Sequence, residues 1–493
     1  MSQKRSTWSN QFAFILAAAA SAIGLGNLWR FPYLAAQYGG GTFILVYLIL
    51  VVTLGFTLMT IEISIGRKTK QSQLTAYTAL HPKFSFLGIL ATIIPVVIVP
   101  YYCVIGGWVI KYFTTYCKMI VSPKAELINA ANAGDFFGGF ISSNFGSFGY
   151  GMIFIFACAI IIALGVKNGI EKSNKIMMPL LFFMAIGISI YVCTMDGAID
   201  GLKYYLVPNT DCLRTEAGEF SPAQLGKTIL GAMGQMFYSL SLAMGIMITY
   251  GSYLRKEDSI EKSVRRIEIF DTLIAIVAGL MIIPVVYVYA VKTGVTPELI
   301  AECGGDTAAA TTAAVKEAMN AGPGLMFITL PKVFDGFGAV APYVGATFFL
   351  LVIFAALTSA ISLYETCVAS ICDLLNMERK NATFFAFFAI AFLATFSALG
   401  YGPWSHITIC KLQFLDFFDF VTNSVLMPLV AAATCIFVGW VIKTKVIEDE
   451  VESCGTPFKS RKLFVVMTKY IAPILVTLIL VGEILRNTGF FKI

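Results

Sequence analysis

Residues 20–33 read Ala-Ser-Ala-Ile-Gly-Leu-Gly-Asn-Leu-Trp-Arg-Phe-Pro-Tyr, and this stretch decides the fold because it interrupts an apolar run long enough to cross a membrane. Inside a bilayer every backbone polar group must be satisfied within the protein, so a broken spanning helix persists only where it lines a cavity or binds something. A glycine-rich packing face would explain Gly24 and Gly26 alone. It does not explain Asn27 followed three residues later by Arg30, since arginine is costly at membrane depth. The stretch therefore predicts a solute-binding site.

The composition is that of an integral membrane protein. The 493 residues are 58% hydrophobic and 13% charged, with a mean hydropathy of +0.79, and apolar runs of spanning length recur throughout. Lys4 and Arg5 precede Trp8, which is placed as an interface anchor. The run that begins near Phe12 lacks a small-residue cleavage signal, so it is interpreted as a retained first span and not as a signal peptide.

Hydropathy predicts about eleven spans in a single transmembrane domain. They cover residues 11–36, 42–66, 86–116, 150–166, 174–195, 224–253, 267–292, 336–372, 382–400, 414–441 and 464–485. Lysine and arginine cluster in alternate connections, which predicts a cytoplasmic N-terminus and, with an odd number of spans, an extracytoplasmic C-terminus in the cell membrane. The net charge of +6 reflects this bias and does not indicate a nucleic-acid partner.

No constellation for catalysis or metal ligation is evident, so an enzyme is not expected. The chain has only two histidines, His81 and His406, and no nucleophile elbow, phosphate-binding loop or HExxH motif. Most of the eleven cysteines lie in predicted spans as small apolar residues. Cys212 and Cys303 lie in large outer connections, and the sequence leaves open whether they form a disulfide.

A second interruption corresponds to the first. In span six the polar segment from Ser239 to Gly245 divides a long apolar run, as residues 24–27 divide span one. Paired breaks in two five-helix halves indicate a transporter of two inverted repeats with its site near the membrane midplane. The predicted fold is therefore all-α, with repeats at about 11–195 and 224–441 and one extra helix at about 464–485.

These residues resemble the neurotransmitter:sodium symporter family, in its bacterial amino-acid branch. The resemblance covers nearly the whole chain. It rests on Gly24-Leu-Gly-Asn-Leu-Trp-Arg-Phe-Pro32, Gly39-Gly40-Gly41, Tyr101-Tyr102, Gln235 and Leu357-Thr358-Ser359. In this fold the helix breaks hold a substrate carboxylate and sodium. Many relatives have twelve spans, and since this chain ends after the eleventh, its oligomeric state is left open.

The resemblance implies about two sodium ions. The first would bind the carbonyl of Ala22, the side chains of Asn27, Ser239 and Asp271, and the substrate carboxylate. The second would bind the carbonyls of Ala20, Ile23 and Ala355 and the hydroxyls of Thr358 and Ser359. Sodium is a hard cation, and these sets offer it oxygen ligands. Serine and threonine acting as helix-packing residues would explain the span-eight pair without an ion.

The resemblance also implies a substrate pocket and two gates. The pocket would be lined by Ala22, Gly24, Leu25, Gly26, Ile98, Tyr102, Tyr238, Ser239, Ser241, Met244, Ser359 and Leu363. Tyr102 would donate to the substrate carboxylate, Tyr238 would act as a lid, and Glu62 would hold the broken backbone of span six. Arg30 with Asp419 would form the outer gate, and Arg5 with Asp373 the inner gate. Ordinary interface charge would explain the inner pair equally well.

The expected function is sodium-coupled symport of neutral amino acids by alternating access, and the alternatives are a channel or a non-transporting substrate sensor. Gly24 occupies the position where amine-transporting relatives carry an aspartate, which favours zwitterionic substrates over amines. The flexible Met244 and the small Ser359 favour large apolar or aromatic side chains.

Two further expectations concern chloride and release. Chloride-dependent relatives hold the anion with Tyr, Gln and two Ser. Here Tyr47, Gln235 and Ser239 are kept, but Ala275 lacks a hydroxyl and Asp271 stands where those relatives carry Asn, so chloride should not be required. When Asp271 loses its sodium, a lone buried carboxylate is costly, so a returning proton is expected. Near Gly169, span five is expected to unwind towards Pro179 and admit water to the second sodium. A proline-tolerant helix start would account for Pro179 without unwinding.

Overall fold

The structure is a computed structural model that describes residues 6–122, 127–143, 145–214, 219–319 and 322–488. Within these ranges the chain is helical, and its extended pairing is limited to isolated bridges such as the one between Gly40 and Pro208. The predicted all-α membrane fold is confirmed.

By length and apolar composition, nine helices of the described chain could cross a membrane. They are Gly41–Thr69, Pro82–Val121, Gly146–Ala163, Val166–Cys193, Ile260–Thr293, Gly338–Leu375, Arg379–Leu399, Phe414–Val441 and Arg461–Gly482. These are spans two to five and seven to eleven of the predicted order. Span one is the pair Gln11–Ala22 and Gly26–Gln37, bent by 53° at its break. Span six is the pair Pro222–Ser239 and Ile246–Ser252, separated by residues 240–245.

Shorter helices fill the connections. Gln73–Leu80 lies between spans two and three, and Lys445–Glu452 lies between spans ten and eleven. The long connections predicted to be outside contain Ala133–Ile141, Ala198–Leu206, Pro297–Glu302, Thr307–Ala318 and Leu330–Asp335. Cys212 and Cys303 are both free thiols, and the Cys212 thiol donates to the Tyr38 carbonyl at 3.3 Å.

Span five begins eight residues before the predicted position 174. Its first turns form a π-helix over Val166–Glu171, directly after Gly165, whose φ of +86° suits glycine. Glu171 is buried because the Ser9 hydroxyl and the Lys175 ammonium both donate to its carboxylate, the latter at 2.7 Å. Because these two donors compensate the Glu171 carboxylate, the polar residues between 166 and 174 form part of the helix and not the predicted loop.

Spans three and eight pack along each other through aromatic rings. Tyr112 and Tyr116 of span three place their rings 5.0 and 5.6 Å from that of Phe349 in span eight. The Tyr112 hydroxyl donates to the Phe327 carbonyl at 2.8 Å, which satisfies the phenol inside the core. This packing fixes the walls against which the two breaks lie.

Candidate substrate and ion site

The break in span one follows from the end of its first helix. That helix stops at Ala22, Ile23 is extended, and the chain resumes a helix at Gly26. A helix end leaves its last carbonyls without intrahelical partners, so these oxygens are available to a cation or to neighbouring hydroxyls. The side chain of Asn27 stabilises the break, since its Oδ1 accepts the N–H of Gly24 at 3.1 Å.

The break in span six is held in an unusual backbone conformation. Ser241 and Ala243 have φ values of +53° and +59°, and Gly245 has +73°. Residues other than glycine adopt this left-handed region only when their surroundings impose it. Here the Glu62 carboxylate imposes it, because its Oε1 accepts the N–H of Ala243 at 2.7 Å. The predicted role of Glu62 is confirmed.

Asp271 of span seven joins the two breaks. Its Oδ1 accepts hydrogen bonds from Asn27 Nδ2 at 2.8 Å and from Ser239 Oγ at 2.9 Å. Its Oδ2 accepts from Tyr47 at 3.2 Å and again from Ser239 at 2.9 Å. Asp271 is completely buried. Two of the side chains predicted for the first sodium site, Asn27 and Ser239, therefore meet around the third, Asp271, with Ala22 at the neighbouring helix end.

Span eight meets span one at the residues predicted for the second site. Ser359 Oγ donates to the carbonyl of Ser21 at 2.9 Å and lies 3.4 Å from that of Ile23. Thr358 Oγ1 donates to the carbonyl of Ala355 at 3.0 Å. Ala20 and Ala355 are completely buried. The hydroxyl of Ser359 thus meets carbonyls at the end of the first helix of span one, whereas the hydroxyl of Thr358 bonds within its own helix.

A cavity of about 330 Å³ lies between the two breaks. It is lined by Ser21, Ala22, Gly24, Gly26, Ile98, Tyr102, Tyr238, Ser241, Met244, Ile246, Ser359 and Leu363. The backbone lies close to the opposite wall, because a Cβ on Gly24 would stand 2.6 Å from Ser359 Oγ, and one on Gly26 would stand 2.5 Å from the Tyr238 ring. Only glycine leaves this space open.

Ten of the twelve predicted pocket residues line this cavity. Leu25 and Ser239 do not: the N–H of Leu25 donates to the Tyr102 hydroxyl at 3.3 Å, while Ser239 faces Asp271. The sequence reasoning missed Ser21 and Ile246. The hydroxyl of Ser241 donates to the carbonyl of Ser21 at 3.2 Å, which brings Ser21 to the cavity wall. The position of Ser21 directly before the last residue of the helix is the sequence feature that could have identified it as a cavity residue.

On one side of this cavity, beyond Tyr238, a second cavity of about 1220 Å³ contains both residues of the predicted outer gate. The Arg30 guanidinium lies 5.8 Å from the centre of the Tyr238 ring. Asp419 accepts hydrogen bonds from Tyr101 at 3.1 Å and from Asn423 at 2.5 Å. Arg30 and Asp419 thus line the same cavity, but Arg30 lies against Tyr238 while Asp419 is hydrogen-bonded to Tyr101 and Asn423.

The opposite side is closed by the segment that precedes span one. Trp8 is 1% exposed, and its indole N–H donates to the carbonyl of Tyr250 at 3.0 Å. The expectation of an interface anchor is therefore wrong, because the indole is packed against Tyr250 and Tyr253. Of the predicted inner gate, Asp373 accepts the N–H of Ser72 at 2.6 Å, and Arg5 lies outside the described residues.

Comparisons with known proteins agree with this architecture. Residues 5–125 and 141–490 match the model of the sodium:neurotransmitter symporter family. An uncharacterized sodium-dependent transporter, YhdH of Bacillus subtilis, is 31% identical over 88% of this chain and 88% of its own length. Another from Haemophilus influenzae is 29% identical over 98% of this chain and 99% of its own. The crystal structure of MhsT in complex with L-phenylalanine superposes with a TM-score of 0.80 at 33% identity, covering 97% of this chain and 100% of MhsT. The chain belongs to the sodium:neurotransmitter symporter family, whose members are transporters.

Proposed function

We propose that this protein couples the entry of sodium to the uptake of neutral amino acids with large apolar or aromatic side chains. The observation that carries the proposal is the position of the cavity between two broken helices, beside the buried Asp271 carboxylate. The first sodium binds Asp271, Asn27, Ser239 and the carbonyl of Ala22. The second binds the oxygens of Ala20, Ile23, Ala355, Thr358 and Ser359.

The substrate's two ends have different partners in this arrangement. Its carboxylate lies at the break in span one, where the Tyr102 hydroxyl donates to it and the first sodium neutralises it. Its side chain occupies the part of the cavity formed by Ile98, Met244 and Leu363. The complex of MhsT with L-phenylalanine supports an aromatic substrate.

The helices around this site rearrange so that it opens alternately to the two sides of the membrane. Tyr238, Arg30 and Asp419 close the outer side, and Trp8 leaves the inner side when the site opens there. Each sodium ion that enters down a membrane potential supplies about 2.3 kcal/mol per 100 mV. That energy drives accumulation of the substrate.

Transport by reconstituted protein tests the proposal. Proteoliposomes with an inward sodium gradient should accumulate labelled leucine, phenylalanine or tryptophan, and should exchange internal for external substrate in counterflow. Conductance without substrate-dependent sodium uptake would indicate a channel, and saturable binding without accumulation would indicate a sensor. Tyr102→Phe should weaken substrate binding, whereas the matched change Tyr289→Phe, in span seven outside the cavity, should not.

A further inference from the structure

A basic cavity lies far from the substrate site, at the end of the bundle that the charge distribution predicts to be cytoplasmic. It has a volume of about 870 Å³. Its walls are Ser259, Glu261, Lys262, Arg265, Arg266, Thr456, Pro457 and Lys459. The first five belong to the start of span seven, and the others to the connection that leads into span eleven. Four cations therefore surround a space between two spans.

The two carboxylates near this cavity, Glu261 and Glu268, offset only part of the charge of its four cations. Both oxygens of Glu261 accept backbone N–H groups, from Lys459 and Ser460, each at 3.0 Å. Glu268 pairs with Arg265 at 3.3 Å. Among the described residues, Lys262, Arg266 and Lys459 have no carboxylate within salt-bridge distance, and all three are exposed. The cavity is thus positively charged and open to an anion.

The cavity borders the surface that faces lipid. Arg265 donates to the carbonyl of Val52 in span two at 3.2 Å and to the hydroxyl of Ser460 at 3.3 Å, so spans two, seven and eleven meet here. Beside these contacts, apolar side chains of all three spans are exposed: Val52 itself by 48%, Ile269, one turn after Arg265, by 64%, and Val466 of span eleven by 47%. In a membrane such side chains contact acyl chains, which places the cations at the level of the headgroups.

We propose that this cavity binds the headgroup of an anionic phospholipid whose acyl chains lie along Val52, Ile269 and Val466. Basic pockets between spanning helices on the cytoplasmic side suit such headgroups, because the phosphate gains several cationic partners while the chains stay in hydrocarbon. The charge complementarity favours a phosphatidylglycerol-type lipid over a zwitterionic one. The adjoining apolar wall favours a lipid over free phosphate. The bound lipid joins the start of span seven to the start of span eleven.

Lipid titration of the full-length protein in detergent tests this site. Bound lipid is counted by native mass spectrometry, and the thermal midpoint is measured with dioleoylphosphatidylglycerol or dioleoylphosphatidylcholine. The anionic dioleoylphosphatidylglycerol should bind more tightly than dioleoylphosphatidylcholine and raise the thermal midpoint more. The triple variant Lys262→Gln, Arg266→Gln and Lys459→Gln should weaken that preference at least about tenfold, since each cation near a membrane surface is worth about fivefold in affinity.

The matched control removes three exposed lysines elsewhere on the predicted cytoplasmic side, with Lys167→Gln, Lys172→Gln and Lys380→Gln. It should change the preference less than about twofold. Equal binding of both lipids, equal loss in both triple variants, or displacement of the lipid by millimolar inorganic phosphate would overturn the proposal. If the first triple variant does not fold, Lys459→Gln alone, in the connection before span eleven, is compared with Lys380→Gln.

Discussion

Replacing Asp271 by asparagine gives the most direct test of how this site handles charge. The carboxylate accepts hydrogen bonds from three side chains: from Asn27 at 2.8 Å, from Tyr47 at 3.2 Å, and from Ser239, whose hydroxyl lies 2.9 Å from both carboxylate oxygens. Asparagine keeps the shape but loses the charge, and its NH₂ group meets side chains that already donate. A unit charge about 4 Å from sodium contributes about 4 kcal/mol at an effective dielectric constant of about 20. Part of this loss is offset, because the neutral asparagine does not carry the cost of desolvating a buried charge.

A net loss of about 2–3 kcal/mol corresponds to about 30–150-fold weaker sodium binding. The assay is substrate uptake and binding as a function of sodium concentration, with chloride or gluconate as the anion. Asp271→Asn should be inactive in gluconate. Adding Ala275→Ser, one helical turn away, should restore transport in chloride alone, and Ala275→Ser by itself is the control. Wild-type uptake that falls to background in gluconate, or an Asp271→Asn variant that keeps its sodium affinity within about twofold, would contradict this role of Asp271.

Three other substitutions test separate parts of the site. Gly24→Ala should weaken substrate binding by about 1–3 kcal/mol, because the new Cβ would stand 2.6 Å from Ser359 Oγ and 3.0 Å from the Tyr102 hydroxyl. Equilibrium binding of labelled substrate measures this loss, and an unchanged affinity would contradict the geometry. Met244→Phe should penalise tryptophan and tyrosine more than leucine in competition uptake, since it narrows the cavity beside the side chain, whereas an equal loss for all three would show that Met244 does not contact that side chain. Pro179→Ala should slow the release of sodium and substrate to the inside in an efflux assay by stabilising the helix of span five, and an unchanged rate would refute the proposed unwinding.

The sequence predicted those parts of the molecule that local chemistry determines. The breaks of spans one and six are visible because glycine and polar residues interrupt apolar runs, and the resemblance to a known family assigned Asp271, Asn27 and Ser239 to one place. The start of span five could not be predicted in the same way. Glu171 enters a buried helix only because Ser9 and Lys175 donate to it, and hydropathy does not detect a contact across 162 positions of sequence.

The same limit explains the outcomes for Trp8 and Ser21. Trp8 resembles an interface anchor until Tyr250 and Tyr253, far along the chain, are seen to pack on it. Ser21 has no motif of its own, and it reaches the cavity only because Ser359 and Ser241 donate to its carbonyl. Contacts of this kind depend on how spans one, six and eight are arranged in space.

The burial of Trp8 has a consequence for the balance between the two orientations of the transporter. A buried tryptophan removes about 150–250 Å² from water, which at about 25 cal/mol per Å² amounts to about 4–6 kcal/mol. In the proposed cycle, opening the side of the site that Trp8 covers moves this ring into water or onto another apolar surface. A ratio of one hundred to one between two conformations corresponds to only about 2.7 kcal/mol. Trp8 can therefore set how often the empty transporter faces inward, so changes to this residue would alter turnover without touching the ligand site.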